Sequence, residues 1–368
     1  MKKTIPTIRA IRNAAVGGAC TLAVTFAGTP AAHAQSSVTL YGIIDASILY
    51  TSKTFNLTTG AIQGHQFSVE SAGENASRFG LRGTEDLGSG LATIFDIESG
   101  FDISNGGFAN SNGEFFGRQA WVGVTGGFGT LTAGLQYSPF LLSVDANDPR
   151  DFKQFGSGLV SYVDNVIVTG LFNSNSVMYT SPEIAGIQGR AMYAFGGSPG
   201  NFKAGQQYSA GLVFHTSGLL LTAAMYNGNS GGSAAAIPNP STIAFSGRNI
   251  GATYYFDRLT VKAAYTLYKV AGSFDNRVIS GGLAYKLTPF LSLDGGAWYT
   301  RDGNDSNNHS ILGSLGVEYL LSKRTTLYSQ VAYVNNHGGM NTGLAINGAL
   351  FGVPGSQFAA DLGIRHSF

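Results

Sequence analysis

The chain has 368 residues, with 22 Lys and Arg against 21 Asp and Glu, and only 12% of its residues are charged. That length holds two or three soluble domains or one large barrel, and so small a charge imbalance gives no basis for nucleic-acid binding. Glycine supplies 52 residues, about twice ordinary usage, yet past the N-terminus no stretch approaches the ~20 apolar residues of a membrane helix. A helical membrane protein is thereby excluded, whereas strands that alternate polar and apolar residues would leave this average composition.

At the N-terminus Lys2, Lys3, Arg9 and Arg12 precede or flank an apolar run from Ala14 to Ala27, and Ala32-His33-Ala34 is an A-x-A site before Gln35. This is the layout of a cleaved secretory signal over residues 1–34, leaving 35–368 as a single domain. Cys20 leaves with it, so the mature chain is expected to carry no disulfide and no cysteine-held metal; Gly17-Gly18-Ala19 before it is a poor lipoprotein signal. Losing four cations and no acids takes the formal charge from +1 to about −3.

From Ser37 to Tyr50 the chain alternates, with Val38, Leu40, Ile44, Ala46 and Ile48 on one side and Thr39, Asp45 and Ser47 on the other. Such period-2 segments predict half-buried strands, and about sixteen follow in succession. Two kinds of connection separate them. Asp86–Gly90, Gly126–Gly129, Thr216–Gly218, Phe256–Leu259, Leu287–Pro289 and Leu321–Arg324 are tight turns rich in Gly, Asp, Ser and Pro. Ser52–Ser77, Ser99–Gly117, Ser138–Ser174, Gly196–Gly205, Asn227–Gly247, Arg301–Asn308 and Asn335–Ser356 are long and polar. Short turns on one rim and long loops on the other predict an all-β transmembrane antiparallel barrel. Closure leaves no unpaired edge in lipid. Ser138–Ser174 is about twice the length of a simple loop and carries Asp145, Asp148, Arg150, Asp151, Lys153 and Asp164. The last segment, Gln357 to Phe368, has Phe358, Ala360, Leu362, Ile364, His366 and Phe368 on one face and ends on an aromatic ring, which resembles the C-terminal assembly signature of Gram-negative outer-membrane barrels.

Ser77-Arg-Phe-Gly-Leu-Arg-Gly-Thr-Glu-Asp-Leu-Gly-Ser-Gly, with the strand closing at Glu98, resembles the second hairpin of the Gram-negative general porins. So do the opening Val38-Thr-Leu-Tyr-Gly-Ile-Ile-Asp45, Arg118-Gln-Ala-Trp-Val-Gly-Val124, and Gly129-Thr-Leu-Thr-Ala-Gly-Leu-Gln-Tyr137 before the long loop. The similarity is greatest to the trimeric porins of β-proteobacterial type and runs the length of the mature chain. It implies a sixteen-stranded homotrimeric channel in the cell outer membrane whose third external loop folds inward to narrow the pore. The partners expected on this reading are small hydrophilic solutes and ions, outer-membrane lipid and lipopolysaccharide, and the barrel-assembly machinery, met through the C-terminal strand. Two positions depart from the family pattern. Leu135 stands where Gly-Arg-Gln is frequent, and Leu171 and Phe172 stand where a basic residue often precedes the Asn-Ser-Val at Asn175–Val177.

A filter belongs where opposite charges face each other across a narrow lumen. Arg78 and Arg82 are out of phase with Phe79, Leu81 and Gly83; pointing them into mid-bilayer lipid would cost roughly 2–4 kcal/mol each, so they are predicted to point inward. Arg118 is placed inward with Trp121 and Gly123 outward, and Arg190 lies opposite to Ala191, Tyr193 and Phe195 with Gln188 as its lumen neighbour. Asp148 and Asp151 of the long loop are the expected acidic counterpart, with Asp96 and Glu98 as wall alternatives. The plainer reading makes all of these solvated lumen charges. No cofactor is implied. Gly196-Gly-Ser-Pro-Gly200 fits G-x-S-x-G by letter but sits in a Gly/Pro loop and lacks the strand-to-helix setting of a nucleophile elbow. His65, His215, His309, His337 and His366 have no metal-ligand spacing. A solute-specific channel, an outer-membrane barrel enzyme and an adhesin acting through Asn227–Gly247 and Asn335–Ser356 are the alternatives.

Overall fold

A computed structural model describes residues 37–56, 58–166, 171–232 and 241–368; the expected signal over residues 1–34, with Cys20, lies outside these. Seventeen strand segments form one closed antiparallel sheet. Two of them, Gln66–Ser71 and Arg78–Gly88, both pair with the first strand and are halves of one strand kinked at 72–77. The barrel therefore has sixteen strands, as the alternation predicts. They are β1 (Ser37–Thr51), the kinked β2, β3 (Leu91–Gly100), β4 (Gln119–Gly126), β5 (Gly129–Gln136), β6 (Asn173–Thr180), β7 (Ile187–Ala194) and β8 (Gln207–His215). The second half comprises β9 (Leu219–Gly228), β10 (Phe245–Tyr255), β11 (Leu259–Val270), β12 (Asp275–Lys286), β13 (Leu291–Asp302), β14 (His309–Leu320), β15 (Thr325–His337) and β16 (Gly355–Ser367). The seam is β1 against β16, from Ile43↔Ser367 to Thr51↔Ala359, and it is extended by Phe368 exchanging backbone hydrogen bonds with Gly42 at 3.1 and 3.2 Å.

The alternation read from the sequence survives in the burial pattern. Val38, Leu40 and Ile48 on β1, and Ile250 and Tyr254 on β10, are exposed on the outer face, while Asp45, Ser47, Asn249 and Thr253 are buried inside. Two boundaries differ. The predicted loop Ser52–Ser77 contains the first half of β2, because Phe67 and Val69 alternate outward beside β1. The connection 271–274 between β11 and β12 sits on the long-loop rim yet is a short turn closed by Val270 and Phe274, so loop length alone does not mark the rim.

The core lies within the barrel, where the connection from β5 to β6 folds inward. It contains α1 (Pro139–Asn147) and α2 (Gly158–Val166). Helix α1 starts where Ser138 accepts a hydrogen bond from the Leu141 amide at 3.1 Å, with Pro139 in the first turn, the arrangement that satisfies an orphan N–H and presets φ. Phe140 is fully buried among Tyr162, Tyr226 and Tyr268, with ring centroids 5.8–6.2 Å apart; burying such a ring is worth about 1.5–3 kcal/mol. The wall makes room for it with glycine. A Cβ on Gly247 would lie 2.6 Å from the Phe140 ring, and one on Gly296 would lie 2.6 Å from Pro149. The final long loop also turns inward, and its Leu344 carbonyl accepts from Gly156 N–H at 2.7 Å while Ile346 N–H donates to the Gln154 carbonyl at 2.8 Å. Gly247→Leu is expected to lift α1 off β10 and destabilise the folded barrel by about 1–3 kcal/mol. The readouts are the heating temperature at which the folded band disappears on gels and a larger, noisier single-channel conductance.

Candidate functional site: the constriction

Arg150 and Lys153, at the tip of the inward loop, hold it against the wall. Arg150 is completely buried. Its guanidinium pairs with Asp294 on β13, donates to Ser314 on β14 and Gln330 on β15 at 2.6 Å each, and donates to the Phe155 carbonyl at 2.9 Å. Lys153 meets three carboxylates, Glu318 at 2.5 Å, Asp294 at 2.7 Å and Glu74 at 3.0 Å. Glu74, fully buried in the β2 kink, also pairs with Arg365 of β16 at 3.1 Å. The kink is shaped by Asp45, whose carboxylate accepts from the amides of Gly73, Glu74 and Asn75 at 3.2, 3.1 and 2.7 Å and from the Tyr328 hydroxyl. Burial works against Lys153's charge, but the surrounding carboxylates prevail and hold its ammonium above the usual lysine range.

Beside this anchor is a cavity of about 340 Å³ that Asn75 and Ala76 of the β2 kink border. The wall supplies Arg78 and Arg118, and the inward loop supplies Asp145, Asp151 and Phe152; Tyr137, Leu171 and Phe172 complete it, and Ile346 enters from the last loop. Arg78 and Arg118 share Glu98, at 3.1 and 2.7 Å. Arg118 is largely used up in structure. It donates to the Asn110 carbonyl and the Tyr137 hydroxyl at 3.1 Å each, and its guanidinium lies 5.3 Å over the Phe172 ring. Arg82 is exposed to the lumen, 5.1 Å over the Tyr41 ring, and faces Asp96 across the β2–β3 ladder. Tyr41 donates to Asp96 at 2.7 Å and Glu98 at 3.2 Å.

The structure thus brings Arg78, Arg118, Glu98 and Asp151 together, with Arg82 and Asp96 next along the same wall. Arg190 points inward on β7 as its phase predicts, donating to Gln188 at 3.1 Å, but it does not line this cavity. Asp148 stands elsewhere than expected. It is buried, and its carboxylate accepts from the Gly158 amide at 2.7 Å, Phe152 at 3.0 Å, Arg150 at 3.1 Å and Trp298 Nε1 at 3.2 Å. It is a turn-former between the two helices, and Asp145 occupies the lumen position in its place. The expected phase of β4 is also reversed. Trp121 pairs with Asp96, donates to Gln119 at 2.8 Å and faces inward, whereas Val122 and Val124 are exposed outside. Arg118 still reaches the lumen because it precedes the strand.

Electrostatically, burial and the adjacent Asp148 charge push the Asp145 carboxyl up to about 6. Asp151 is paired with Lys262 of β11. Sequence reasoning missed Arg150, Lys153, Glu74, Asp294 and Glu318. Asp294 and Glu318 were discoverable as acids at lumen-phase positions in mid-strand, which need a cation in so narrow a space.

A family model described as Gram-negative porin matches residues 19–339. Outer membrane porin protein 32 of Delftia acidovorans is 30% identical over 371 residues, covering 93% of this chain and 97% of that one. The anion-selective porin from Comamonas acidovorans superposes with a TM-score of 0.78 at 23% identity, over 91% of this chain and 100% of that one. The trimer form of OmpT from Vibrio cholerae superposes with a TM-score of 0.65 at 17% identity, over 90% of this chain and 99% of that one.

Two substitutions separate anchoring from lining. Arg150→Met, which leaves Asp294 without its guanidinium, is expected to cost roughly 3–5 kcal/mol. Asp148→Ala is expected to cost on the order of 3 kcal/mol through its lost charged hydrogen bonds while leaving the reversal potential in a salt gradient unmoved at pH 8, where Asp145 is ionised with or without it. A shifted reversal potential for Asp148→Ala at pH 8 would return that carboxylate to the pore.

Proposed function

The chain belongs to the Gram-negative porin family, and from that premise we propose that its filter is the cavity between Arg78 and Arg118 on one side and Asp145 and Asp151 on the other. The protein is an outer-membrane porin, a water-filled barrel for passive diffusion of small hydrophilic solutes and ions. Family and fold are those of a channel rather than an enzyme. The single observation behind the filter reading is that basic wall and acidic loop face one narrow lumen cavity, where low dielectric strengthens each charge. Arg82 and Asp96 form the approach to it. We further propose that residues 1–34 are removed on export, that Phe368 at the seam is part of the signal read by the barrel-assembly machinery, and that the working unit is a homotrimer; a solved trimer among the structural relatives supports the last of these.

The charges give the filter a pH-dependent sign. Arg78 and Arg118 outweigh Glu98 by one positive charge, and Asp151 is cancelled by Lys262. An ionised Asp145 makes the cavity nearly neutral, and a protonated one leaves it positive. Its pKa of about 6 is above the ordinary carboxyl value, so protonation begins at milder acidity than for a surface Asp. As pH falls from 8 to 5, the reversal potential across a salt gradient is expected to move toward the anion value, and Asp145→Asn is expected to show the acid-side value at both pH extremes. Arg82→Ala should move the potential toward cations at every pH. An unmoved potential in Arg82→Ala takes Arg82 out of the filter, and a pH-independent wild type takes out Asp145.

A further inference from the structure

At the long-loop end of the barrel wall, the pairing of β14 with β15 sets two histidines directly opposite each other, His309 against His337. Their spacing in the chain does not join them; the register does. Both follow the outward phase of their strands, that of Ile311 on β14 and Tyr333 on β15. His337 is exposed and His309 half-buried. Their rings stack with centroids 4.4 Å apart and an interplanar angle of 12°. His309 Nδ1 lies 3.1 Å from the carbonyl oxygen of Asn307. A carbonyl only accepts, so Nδ1 carries the proton and Nε2 keeps its lone pair. Among the described residues, that Nε2 and both ring nitrogens of His337 have no hydrogen-bond partner.

The surroundings hold the pair in place. The Asn308 carbonyl accepts from the Asp302 amide at 2.9 Å, and Asn308 Oδ1 accepts from the Gly339 amide at 2.7 Å, so the turns flanking both histidines are tied together. An imidazole whose N–H is held by a backbone carbonyl has its ring orientation fixed and its other nitrogen made more basic, which is how metal-ligating histidines are supported. Two metal–nitrogen bonds of about 2.0–2.1 Å at a tetrahedral angle hold their nitrogens roughly 3.3 Å apart, closer than the present centroid spacing by roughly 1 Å. A lean of the exposed His337 ring supplies that closure. Imidazole nitrogen suits Zn²⁺, Ni²⁺ and Cu²⁺, whereas Mg²⁺ and Ca²⁺ take oxygen. Arg301 opposes a cation here, since it faces His309 from β13 and is exposed. Through water that repulsion is small, and two coordinate bonds outweigh it.

We propose that His309 and His337 together bind one divalent transition-metal ion, Zn²⁺, Ni²⁺ or Cu²⁺, through His309 Nε2 and a ring nitrogen of His337, with water in the remaining positions. Coordination forms two metal–nitrogen bonds and releases two waters from the ion, and the Nδ1 proton of His309 stays where it is. The ion clasps β14 to β15 at the root of the final long loop, whose Leu344 and Ile346 bond to Gly156 and Gln154 of the inward loop. With two protein ligands it is an exchangeable clasp on the wall, separate from the ions that pass through the lumen. The assignment depends on the strand register and not on the filter proposed above.

The test uses the purified protein in detergent, without a histidine tag, titrated calorimetrically with Cu²⁺, Zn²⁺ and Ca²⁺, with electron paramagnetic resonance spectra of the Cu²⁺ samples. One transition ion per chain is expected, held more tightly as Cu²⁺ than as Zn²⁺, and no Ca²⁺. The Cu²⁺ spectrum is expected to show coupling to two nitrogens, a signature that needs no variant. H309Q and H337Q are each expected to weaken binding roughly tenfold or more, since loss of a mere supporting partner already costs a metal site that much. The double variant H309Q/H337Q should add little to either one, because both rings serve a single ion. R301Q is expected to tighten binding about fivefold at low salt, the relief of one unit charge acting on a dication through water, and the gain should fade as salt is raised. Coupling to one nitrogen only, unchanged affinity in either single variant, full uptake by the double variant or equal uptake of Ca²⁺ overturns the proposal.

Discussion

Two cations buried in the lumen hold the whole arrangement together. Arg150 and Lys153 have left water, and neither could be tolerated there without the carboxylates of Asp294, Glu318 and Glu74, because an unpaired charge in such a setting costs several kcal/mol. The attraction therefore works as a positional constraint more than as a source of net stability. It fixes the tip of the inward loop to β13, β14 and the β2 kink, and everything else about the passage follows from which side of the barrel the loop is tied to.

The same loop brings Asp145 and Asp151 into the cavity that Arg78 and Arg118 line, beside the β2 kink to which its basic residues are tied. The wall glycines serve the same end, since Gly247 and Gly296 remove side chains where Phe140 and Pro149 press closest. The helices are thus seated on the barrel rather than suspended in it. Leu171 and Phe172 give this cavity an apolar flank, and the Phe172 ring lies under the Arg118 guanidinium at 5.3 Å.

The barrel was legible because period-2 alternation is imposed residue by residue by two different solvents. Val38 to Ile48 and Phe358 to Phe368 announce their faces without help from the rest of the chain. The phase of β4 was not legible. Trp121 and Val122 are both apolar, and only pairing with Asp96 decides that the indole turns inward. The inward loop was visible by length, but its internal assignments were not. Asp148 and Asp145 are three residues apart with the same chemistry, and their different fates depend on which one meets the amides of Phe152 and Gly158. The partners of Arg150 come from strands more than a hundred residues away, a distance across which local pattern carries no information. The stacked pair His309 and His337 was hidden for the same reason, being neighbours only through the β14–β15 register.

The kink in β2 joins parts of the chain that are made at very different times. Asp45 and Glu74 are synthesised early, yet each depends on a late residue, Tyr328 for the first and Arg365 for the second. Glu74 is in turn one of the three ligands of Lys153. One of the contacts that hold the inward loop is therefore linked to the strand that closes the barrel. A molecule without its last strand would lose the seam with β1 and the Arg365 partner of Glu74 at one stroke.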